Sequence, residues 1–354
     1  MTDIIRVLIV DDSAYVRKVI RQMLSRSPFI EVVGAARDGR EALELVEQLK
    51  PDVVTCDLIM PDLDGVGFVR EQMRRRPVPI IIVSVASESG ELVLAALDAG
   101  AIDVVQKPTA LATDRLLEVS EELLAKVKAA AGSRMYRPTP VAASRPTPVA
   151  ASVPVGPGGG PSKPGQVAVV VIGISTGGPQ ALKVLIPRLP ADLPVPVAIV
   201  LHMPVGYTEL YARKLNEDSA LTVVEARDGQ PVLPGTVYLA PAGRHLSFHR
   251  NGGGAVVTRL DVRPLDLPHR PSVDVLFQSA ADVYGSRVLG VVMTGMGSDG
   301  KEGSAWIKAK GGTILTESEQ TCVVYGMPRS VVEAGLSDSE VQLEQMAEAV
   351  IERL

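Results

Sequence analysis

One serine stands between glycines where a run of apolar residues ends. Residues 167–180 read VAVVVIGISTGGPQ, and the apolar part is too short for a globular helix, which favours a buried strand. The strand is predicted to turn at Gly173 and to continue as a helix near Pro179. The motif G-x-S-x-G, with Ser175 at its centre, can lift a hydroxyl clear of a sheet beside a backbone N–H group. Ser175 is therefore a candidate nucleophile, although a glycine-rich turn that only packs against its neighbours would explain the motif equally well.

Four histidines could serve this serine as a general base: His202, His245, His249 and His269. His245 and His249 lie in a predicted hairpin and are expected to be surface or packing residues. His269 precedes a helix that Ser272 could cap, so it is expected to border a pocket without transferring protons. His202 is the strongest candidate because it directly follows a predicted strand.

The predicted sheet brings three polar residues to one edge. His202 ends the buried strand that comes after the Ser175 helix, so in a parallel sheet both side chains emerge at the same carboxyl edge. A hydrogen bond between serine and histidine is then within reach. Asp299 follows another strand to that edge and could hold the imidazole in the correct tautomer. Together the three residues predict acyl chemistry by a serine nucleophile.

The loop that carries Asp299 supports a rival interpretation. Gly295, Gly297 and Gly300 form G-x-G-x-x-G between a predicted strand and helix, and Glu317 ends the next strand where a ribose-binding acid is expected. Alone, this pattern predicts a dinucleotide site and an oxidoreductase. Against it, Asp299 places a carboxylate in the turn meant for a pyrophosphate, and the serine and histidine stay unexplained. A binding module without catalysis also leaves them unexplained.

A second set of polar residues ends the strands predicted in the first half of the chain. Asp11 and Asp12 end the first strand, Asp57 the third and Ser84 the fourth, and Lys107 follows the fifth. Three carboxylates at one edge repel one another unless a divalent cation lies between them, and Mg²⁺ prefers carboxylates with waters and phosphate oxygens. An aspartate that accepts phosphate is consistent with this edge, with Lys107 and Ser84 holding the phosphoryl oxygens.

Alternating strands and helices must position both sets of residues. In the first half, strands are predicted over Arg6–Val10, Glu31–Ala35, Val53–Cys56, Ile80–Val83 and Ile102–Val105, and helices over Ala14–Ser25, Arg40–Leu49, Val66–Arg75, Glu91–Ala99 and Leu116–Ala129. In the second half, strands are predicted over Val195–Leu201, Val288–Met293 and Gly312–Leu315, with a hairpin of Arg244–Arg250 and Ala255–Leu260. The fold class is α/β, with two doubly wound parallel-sheet domains, flavodoxin-like and then Rossmann-like with an antiparallel hairpin insertion.

Composition supports two domains joined by a linker. A chain of 354 residues with 46% hydrophobic residues can bury two cores. The sequence RPTPVAAS occurs at 137–144 and again at 145–152, and proline at this density cannot build a core. We predict domains over 1–128 and 167–354, and a Pro/Gly/Ala-rich linker over 129–166.

Charge and cysteine content exclude other classes. A net charge of −5 gives no basic surface for nucleic acid, and two cysteines indicate a reducing compartment. The chain shows neither a signal peptide nor an apolar stretch near the ~20 residues of a membrane span. A cytoplasmic protein without membrane insertion is expected.

Residues 3 to 128 resemble the receiver domain of bacterial response regulators. The resemblance implies that a partner histidine kinase phosphorylates Asp57, and that Asp11 and Asp12 bind Mg²⁺ together with Asp57. One position departs from the common pattern: Val104 stands three residues before the lysine, where a Tyr or Phe usually reports the switch. Signalling is then expected to pass through loop movement around Ser84 and Lys107.

The second half resembles the catalytic domain of the protein-glutamate methylesterase family of bacterial chemotaxis. The motifs are GISTGGP at 173–179, HMP at 202–204, YLAP at 238–241, HRPSVDVLF at 269–277, GMGSDG at 295–300 and CVVYGMP at 322–328. The receiver ahead of them matches this family's architecture as well.

The resemblance implies hydrolysis of glutamate methyl esters on the cytoplasmic helices of chemoreceptors, and deamidation of certain receptor glutamines. Ser175 is the expected nucleophile, His202 the base and Asp299 the residue that stabilises the imidazolium. Backbone N–H groups near Thr176 and in the 295–297 turn are expected oxyanion donors, and Met296 is expected to pack against the histidine. The hydrolysis itself needs no cofactor.

Overall fold

The computed structural model describes residues 4–84, 90–107, 113–133 and 166–354. In these ranges the chain forms two parallel sheets and one two-stranded antiparallel sheet, which confirms the predicted fold class. The repeated RPTPVAAS segments lie outside the described residues. Within the described ranges, no helix is both long enough and apolar enough to cross a membrane.

The first sheet has five parallel strands in the order β2-β1-β3-β4-β5. The strands are β1 (Ile5–Val10), β2 (Ile30–Ala36), β3 (Val53–Cys56), β4 (Ile80–Ser84) and β5 (Asp103–Gln106), and the helices are α1 (Ala14–Leu24), α2 (Gly39–Leu49), α3 (Gly65–Arg75), α4 (Gly90–Ala99) and α5 (Thr113–Ala131). Side chains of Ser13, Asp38 and Asp64 accept hydrogen bonds from the first turns of α1, α2 and α3, which explains where these helices begin.

The second sheet has seven parallel strands in the order β14-β13-β12-β6-β7-β9-β8. They are β6 (Val169–Ile174), β7 (Val197–Leu201), β8 (Thr222–Glu225), β9 (Thr236–Leu239), β12 (Val288–Val292), β13 (Thr313–Glu317) and β14 (Ser339–Val341). The predicted hairpin is β10 (His245–Arg250) with β11 (Val256–Asp261). The helices are α6 (Gly178–Leu185), α7 (Thr208–Glu217), α8 (Val273–Tyr284), α9 (Lys301–Ala309), α10 (Met327–Glu333) and α11 (Met346–Ile351).

Strand β6 is the point at which the order of the second sheet reverses. It pairs with β7 on one side and with β12 on the other. In open α/β sheets a crevice forms at the carboxyl end of such a strand, and ligands bind there. The residues that follow β6, β7 and β12 are therefore brought to one crevice.

The structure differs from the predicted elements at three short strands and at the end of one helix. Strands β8, β9 and β14 were not predicted, and they contain only four, four and three residues. Helix α5 continues to Ala131, past residue 128 where the first domain was predicted to end. The three alanines at 129–131 favour helix, which explains why α5 extends beyond that residue.

The two sheets belong to parts of the chain that contact each other through helices. Helix α4 packs against α6 and α7. The Gln180 amide of α6 donates hydrogen bonds to the carbonyl oxygens of Leu97 and Ala101. Lys183 of α6 and Lys214 of α7 both pair with Asp98 of α4. The helical face of α4 is thus held by polar contacts from two helices of the second part.

Candidate active site

Ser175 lies in the turn between β6 and α6, at the carboxyl edge of the second sheet. All six residues of β6 are buried, as expected for a strand with helices on both faces. Gly177 adopts a φ of +81°, and Pro179 lies in the first turn of α6, so the turn is built by the residues that the motif indicated. Gly295 lies against this turn, since a Cβ atom there would come within 2.8 Å of Ser175 Cβ.

His202 directly follows β7, next to the Ser175 turn. Its ring Nε2 lies 2.9 Å from Asp299 Oδ2, and because an ionised carboxylate can only accept, Nε2–H donates a hydrogen bond to it. Its Nδ1 is buried and has no hydrogen-bond partner in the part of the chain that the structure describes. The expected hydrogen bond between Ser175 and His202 is therefore not formed. Because Asp299 occupies Nε2, only Nδ1 is left to accept a proton from a nucleophile.

Asp299 is anchored at the beginning of α8. Its Oδ1 accepts hydrogen bonds from Ser272 Oγ at 2.9 Å and from Asp274 N–H at 3.0 Å. Its Oδ2 accepts from Val273 N–H at 2.8 Å in addition to the His202 ring. Burial alone would raise the pKa of Asp299, but the hydrogen bonds and the imidazole hold that pKa below its usual range. The carboxylate is therefore ionised whenever the histidine works.

The expectation that Ser272 caps α8 is wrong. Its side chain makes no capping hydrogen bond and instead donates to Asp299. The two N–H groups of the first turn of α8 are satisfied by Asp299, which reaches them from a different loop. A carboxylate is a stronger acceptor than a hydroxyl at a helix N-terminus, because it also interacts favourably with the helix dipole.

Asp274 makes the reciprocal contact and was missed by the sequence analysis. Its Oδ1 accepts hydrogen bonds from Gly300 N–H at 2.9 Å and Gly303 N–H at 2.7 Å, at the beginning of α9. Asp299 thus caps α8, in whose first turn Asp274 lies, and Asp274 caps α9, which begins just after Asp299. Burial, together with the charge of Asp299, raises the pKa of Asp274 to about 6. An acidic residue in the first turn of a helix is too common a signal to have revealed this role.

The remaining histidines take different positions. His269 stacks on His202 with ring centroids 4.3 Å apart and planes inclined by 21°. Burial and the neighbouring His202 lower the pKa of His269 to about 4, so it stays neutral at pH 7. His245 is buried and accepts a hydrogen bond from Ser272 N–H at 3.2 Å, whereas His249 is exposed. His269 borders the site as expected, and it does so by covering one face of the candidate base.

The dinucleotide interpretation is wrong. Glu317, the expected ribose-binding acid, is fully buried and accepts hydrogen bonds from Thr294 N–H at 2.9 Å and Thr321 Oγ1 at 3.0 Å. It therefore cannot reach a ribose in the crevice. The N–H of Gly300 is bonded to Asp274, so it does not face a pyrophosphate. The glycines allow the loop after β12 to approach the Ser175 turn, as the contact of Gly295 shows.

The acidic residues of the first sheet also converge. Asp11, Asp12 and Asp57 each place a carboxylate oxygen within 4.8 Å of the others. Lys107 Nζ lies 2.7 Å from both Asp11 Oδ2 and Asp57 Oδ2. Burial raises the pKa of Asp11; it would lower the pKa of Lys107, but the two carboxylates raise it. Three carboxylates against one ammonium fit a Mg²⁺ ion, which takes hard oxygen ligands. Ser84 is buried at the end of the neighbouring strand β4.

Comparisons with known proteins match both halves of the chain. Residues 170–350 match the CheB methylesterase model, and residues 7–119 match the response regulator receiver domain. The chain is 53% identical over 343 residues to protein-glutamate methylesterase/protein-glutamine glutaminase 5 of Myxococcus xanthus, covering 97% of this chain and 96% of that protein. Identity to the protein-glutamate methylesterase/protein-glutamine glutaminase of Symbiobacterium thermophilum is 45% over 353 residues, with 98% and 96% covered. The chain belongs to the CheB methylesterase family.

A solved structure agrees with this assignment. The CheB methylesterase catalytic domain of Thermotoga maritima is similar to this chain with a TM-score of 0.52 and 43% sequence identity. The similarity covers 53% of this chain and 100% of the Thermotoga chain. The oxidoreductase interpretation receives no support from the comparisons, which match a receiver domain ahead of a methylesterase domain.

The receiver domain contacts the turn that carries Ser175 directly. Thr176 Oγ1 donates a hydrogen bond to Asp103 Oδ2 at 2.5 Å, and Gly177 N–H donates to Ile102 O at 3.1 Å. Asp103 lies at the beginning of β5 and pairs with Lys126 of α5 at 2.8 Å. The residue that follows the candidate nucleophile is therefore bonded to a buried ion pair of the receiver. These contacts could not be predicted from either domain alone.

A groove of about 520 Å³ lies beside the same contact. Its walls are residues of α5 and the loops after β12 and β13, among them Met296 and Gly297. Met296 is half-buried there, and its expected packing against the histidine stays a prediction. Ser175, His202 and Asp299 are not among the residues that line this groove.

Proposed function

We propose that this chain is a serine hydrolase that removes methyl groups from glutamate methyl esters of chemoreceptors, with Ser175, His202 and Asp299 as catalytic residues. The observation that carries the proposal is the His202 ring, whose Nε2 is bonded to Asp299 at 2.9 Å while its buried Nδ1 has no partner within the described ranges. The names of the relatives supply the substrate class. The enzyme acts in the cytoplasm, where the methylated helices of the receptors lie.

Each chemical step can be assigned to a named atom. Ser175 Oγ attacks the ester carbonyl carbon, and His202 Nδ1 takes the hydroxyl proton. The bond between the acyl carbon and the methoxy oxygen breaks, and Nδ1 passes its proton to that oxygen, which leaves as methanol. Water then attacks the acyl carbon and gives one proton to Nδ1, the bond between the acyl carbon and Ser175 Oγ breaks, and Nδ1 returns the proton to Oγ, which leaves a glutamate carboxyl group and free serine. Asp299 holds Nε2–H throughout, and it stabilises the imidazolium because the helix N-terminus keeps it ionised.

The Thr176 backbone N–H is the best candidate oxyanion donor in the turn. The N–H groups of Ser175, Gly177 and Gly178 donate to Thr294 O, Ile102 O and Ser175 O. The N–H of Gly295 already donates to Val324 O, so it is not free for an oxyanion. The second expected oxyanion donor is therefore one of the residues that follow Gly295 in this loop. Preorganised donors of this kind typically contribute ~10²–10³ in kcat.

Deamidation of receptor glutamines uses the same steps with ammonia as the leaving group. The relatives are named protein-glutamine glutaminases as well as methylesterases. An amide nitrogen needs the proton from His202 more than an ester oxygen does, because amide anions are poor leaving groups. The glutaminase reaction is therefore expected to depend more steeply on His202 than the esterase reaction does.

The receiver domain supplies the control. A carboxylate oxygen of Asp57 attacks the phosphorus of a phosphohistidine on a partner kinase, and the P–N bond breaks. Asp11, Asp12 and Asp57 would hold Mg²⁺, which lowers the charge repulsion at this edge when it is bound. Lys107 would then pair with the phosphoryl oxygens in place of the carboxylates that it contacts now, and Ser84 would bond them from β4.

Strand β5 connects the phosphorylation site with the nucleophile turn. Lys107 follows its carboxyl end and Asp103 begins it, so the two contacts lie four residue steps, about 13 Å of extended chain, apart. A movement of Lys107 towards a phosphoryl group is expected to shift the strand and weaken the bond from Thr176 to Asp103. The unphosphorylated receiver then restrains the active site, and phosphorylation releases it. This route runs through the backbone of β5, so it needs no aromatic side chain at Val104, which lies within the strand.

Methanol release from a methylated receptor fragment tests the catalytic proposal. The full chain, treated with a small phosphodonor, should convert glutamate methyl esters to glutamates, as detected by mass spectrometry of the fragment. The Ser175→Ala variant should show none of this conversion. A variant that demethylates as fast as the wild type would refute the assignment of the nucleophile.

A further inference from the structure

Glu317 is a buried carboxyl group to which the proposed reaction gives no role. It ends β13 and is fully buried. Within the described ranges it forms no ion pair, and burial raises its pKa to about 7. A carboxyl group in such a place is costly unless its hydrogen bonds are satisfied. Its partners therefore indicate why it is there.

Both oxygens of Glu317 point to loops that follow sheet strands. Its Oε2 accepts a hydrogen bond from Thr294 N–H at 2.9 Å, and its Oε1 accepts from Thr321 Oγ1 at 3.0 Å. Strands β12 and β13 pair in parallel up to Val292 and Thr316. The carboxyl group thus continues the ladder by one bond beyond the last strand pair, at the point where the chain leaves the sheet towards Asp299.

Thr294 holds the nucleophile turn from both sides of the serine. Its carbonyl oxygen accepts a hydrogen bond from Ser175 N–H at 2.9 Å. Its Oγ1 donates to Thr176 O at 2.9 Å and accepts from Val324 N–H at 3.0 Å. Thr294 therefore fixes both the N–H group of Ser175 and the carbonyl group of Thr176, and Glu317 fixes the backbone of Thr294.

We infer that Glu317 is a positioning residue for catalysis, acting through Thr294 on Ser175 and on the Thr176 N–H. The reaction in this inference rests on the proposed function, whereas the choice of Glu317 rests on the hydrogen bonds described above. The role belongs to the acceptor oxygen and not to the charge. In the acid form one oxygen still accepts from Thr294, and the hydroxyl can donate to Thr321 Oγ1. A glutamine can make the same two contacts with its carbonyl and amide groups.

Three variants separate positioning from mere stability. Glu317→Leu keeps a similar volume and removes the acceptor, Glu317→Gln keeps the acceptor, and Thr316→Val is the matched control. Thr316 is buried in the same strand, but its hydroxyl bonds Ser337 and not the nucleophile turn. A shift of the reacting atoms by about 1 Å can cost ~10²-fold in rate, so Glu317→Leu should lower kcat by that order with little change in KM.

Two readouts are measured on the full chain of each variant. The first is kcat and KM for methanol release from the methylated receptor fragment. The second is the rate at which a fluorophosphonate modifies Ser175, which needs no receptor substrate. Glu317→Leu should be slow in both, whereas Glu317→Gln and Thr316→Val should stay close to wild type. If Glu317→Leu does not fold, Glu317→Asp takes its place, because the shorter side chain withdraws the acceptor from Thr294.

Some outcomes would overturn the role of Glu317, and another would refute only the proposed substrate. Normal labelling of Glu317→Leu or Glu317→Asp would overturn the inference, as would a Glu317→Gln variant as slow as the leucine variant. Equal loss in Thr316→Val would show that any buried polar change in β13 has this effect, which also overturns it. A wild type that is labelled at Ser175 but releases no methanol would refute the proposed substrate alone, and the labelling rates would still decide the role of Glu317.

Discussion

Asp98 joins the receiver to two helices of the catalytic domain and offers a way to weaken that contact without touching the catalytic residues. Lys183 and Lys214 both pair with its carboxylate, and the three side chains are between a quarter and a third exposed. Replacement by asparagine preserves size and removes both charge pairs. If the bound receiver restrains the active site, Asp98→Asn should raise the activity of the unphosphorylated enzyme.

The magnitude follows from the exposure of these pairs. Solvent-exposed ion pairs contribute ~0.2–1 kcal/mol each, so the two together stabilise the closed arrangement by about 0.4–2 kcal/mol. With RT near 0.6 kcal/mol, this corresponds to a rise in unphosphorylated activity of roughly 2- to 30-fold, as long as the closed form predominates. The hydrogen bonds from Gln180 and Thr176 remain in the variant, so the rise should stop short of full release.

The assay compares initial rates of methanol release with and without phosphodonor, at low and high salt. Salt screens exposed pairs, so the unphosphorylated wild type should become faster at high salt and Asp98→Asn should respond less. Glu91→Gln is the matched control, since Glu91 is an exposed carboxylate on the same helix and forms no ion pair in the described ranges. An Asp98→Asn variant no faster than Glu91→Gln would refute the view that this interface restrains the enzyme.

Three further predictions concern the two sites and one buried carboxyl group. Removal of the base by His202→Ala should abolish methanol release, and Asp299→Ala should cost less; losses of ~10⁴–10⁶ in kcat are typical of such units, and equal losses would contradict the assigned roles. Asp57→Ala should no longer gain one phosphoryl group from a small phosphodonor with Mg²⁺, as measured by intact mass. The pKa of Glu317 is raised to about 7 from 4.5, so its folded form binds the proton more tightly and stability is lost as pH rises from about 4.5 to 7. Denaturant titrations should show wild type losing about 3 kcal/mol relative to Glu317→Gln over this range.

The positions of the candidate catalytic residues were predictable because parallel strands deliver their last residues to one edge. Ser175 and His202 follow adjacent strands, and the buried apolar runs of β6 and β7 are visible in the sequence. The orientation of the imidazole was not predictable in the same way. It depends on where Asp299 lies, and that carboxylate is placed by the N-terminus of α8, 26 residues earlier in the chain at Val273. No local pattern records a cap that arrives from another loop.

The same reason explains why the receiver contact was missing from the predicted site. Asp103 begins β5, where neither pattern nor spacing distinguishes it from any strand-end carboxylate, and its partner Thr176 is 73 residues away. Both side chains are buried where the domains are in contact. Each domain by itself would expose a polar group at that place, which is the ordinary state of a surface residue. A bond between two such groups holds the domains together but costs little to break, since water satisfies both groups afterwards. That property suits the switch that we propose, because phosphorylation at Asp57 would then have only to offset a few such contacts to free the Ser175 turn.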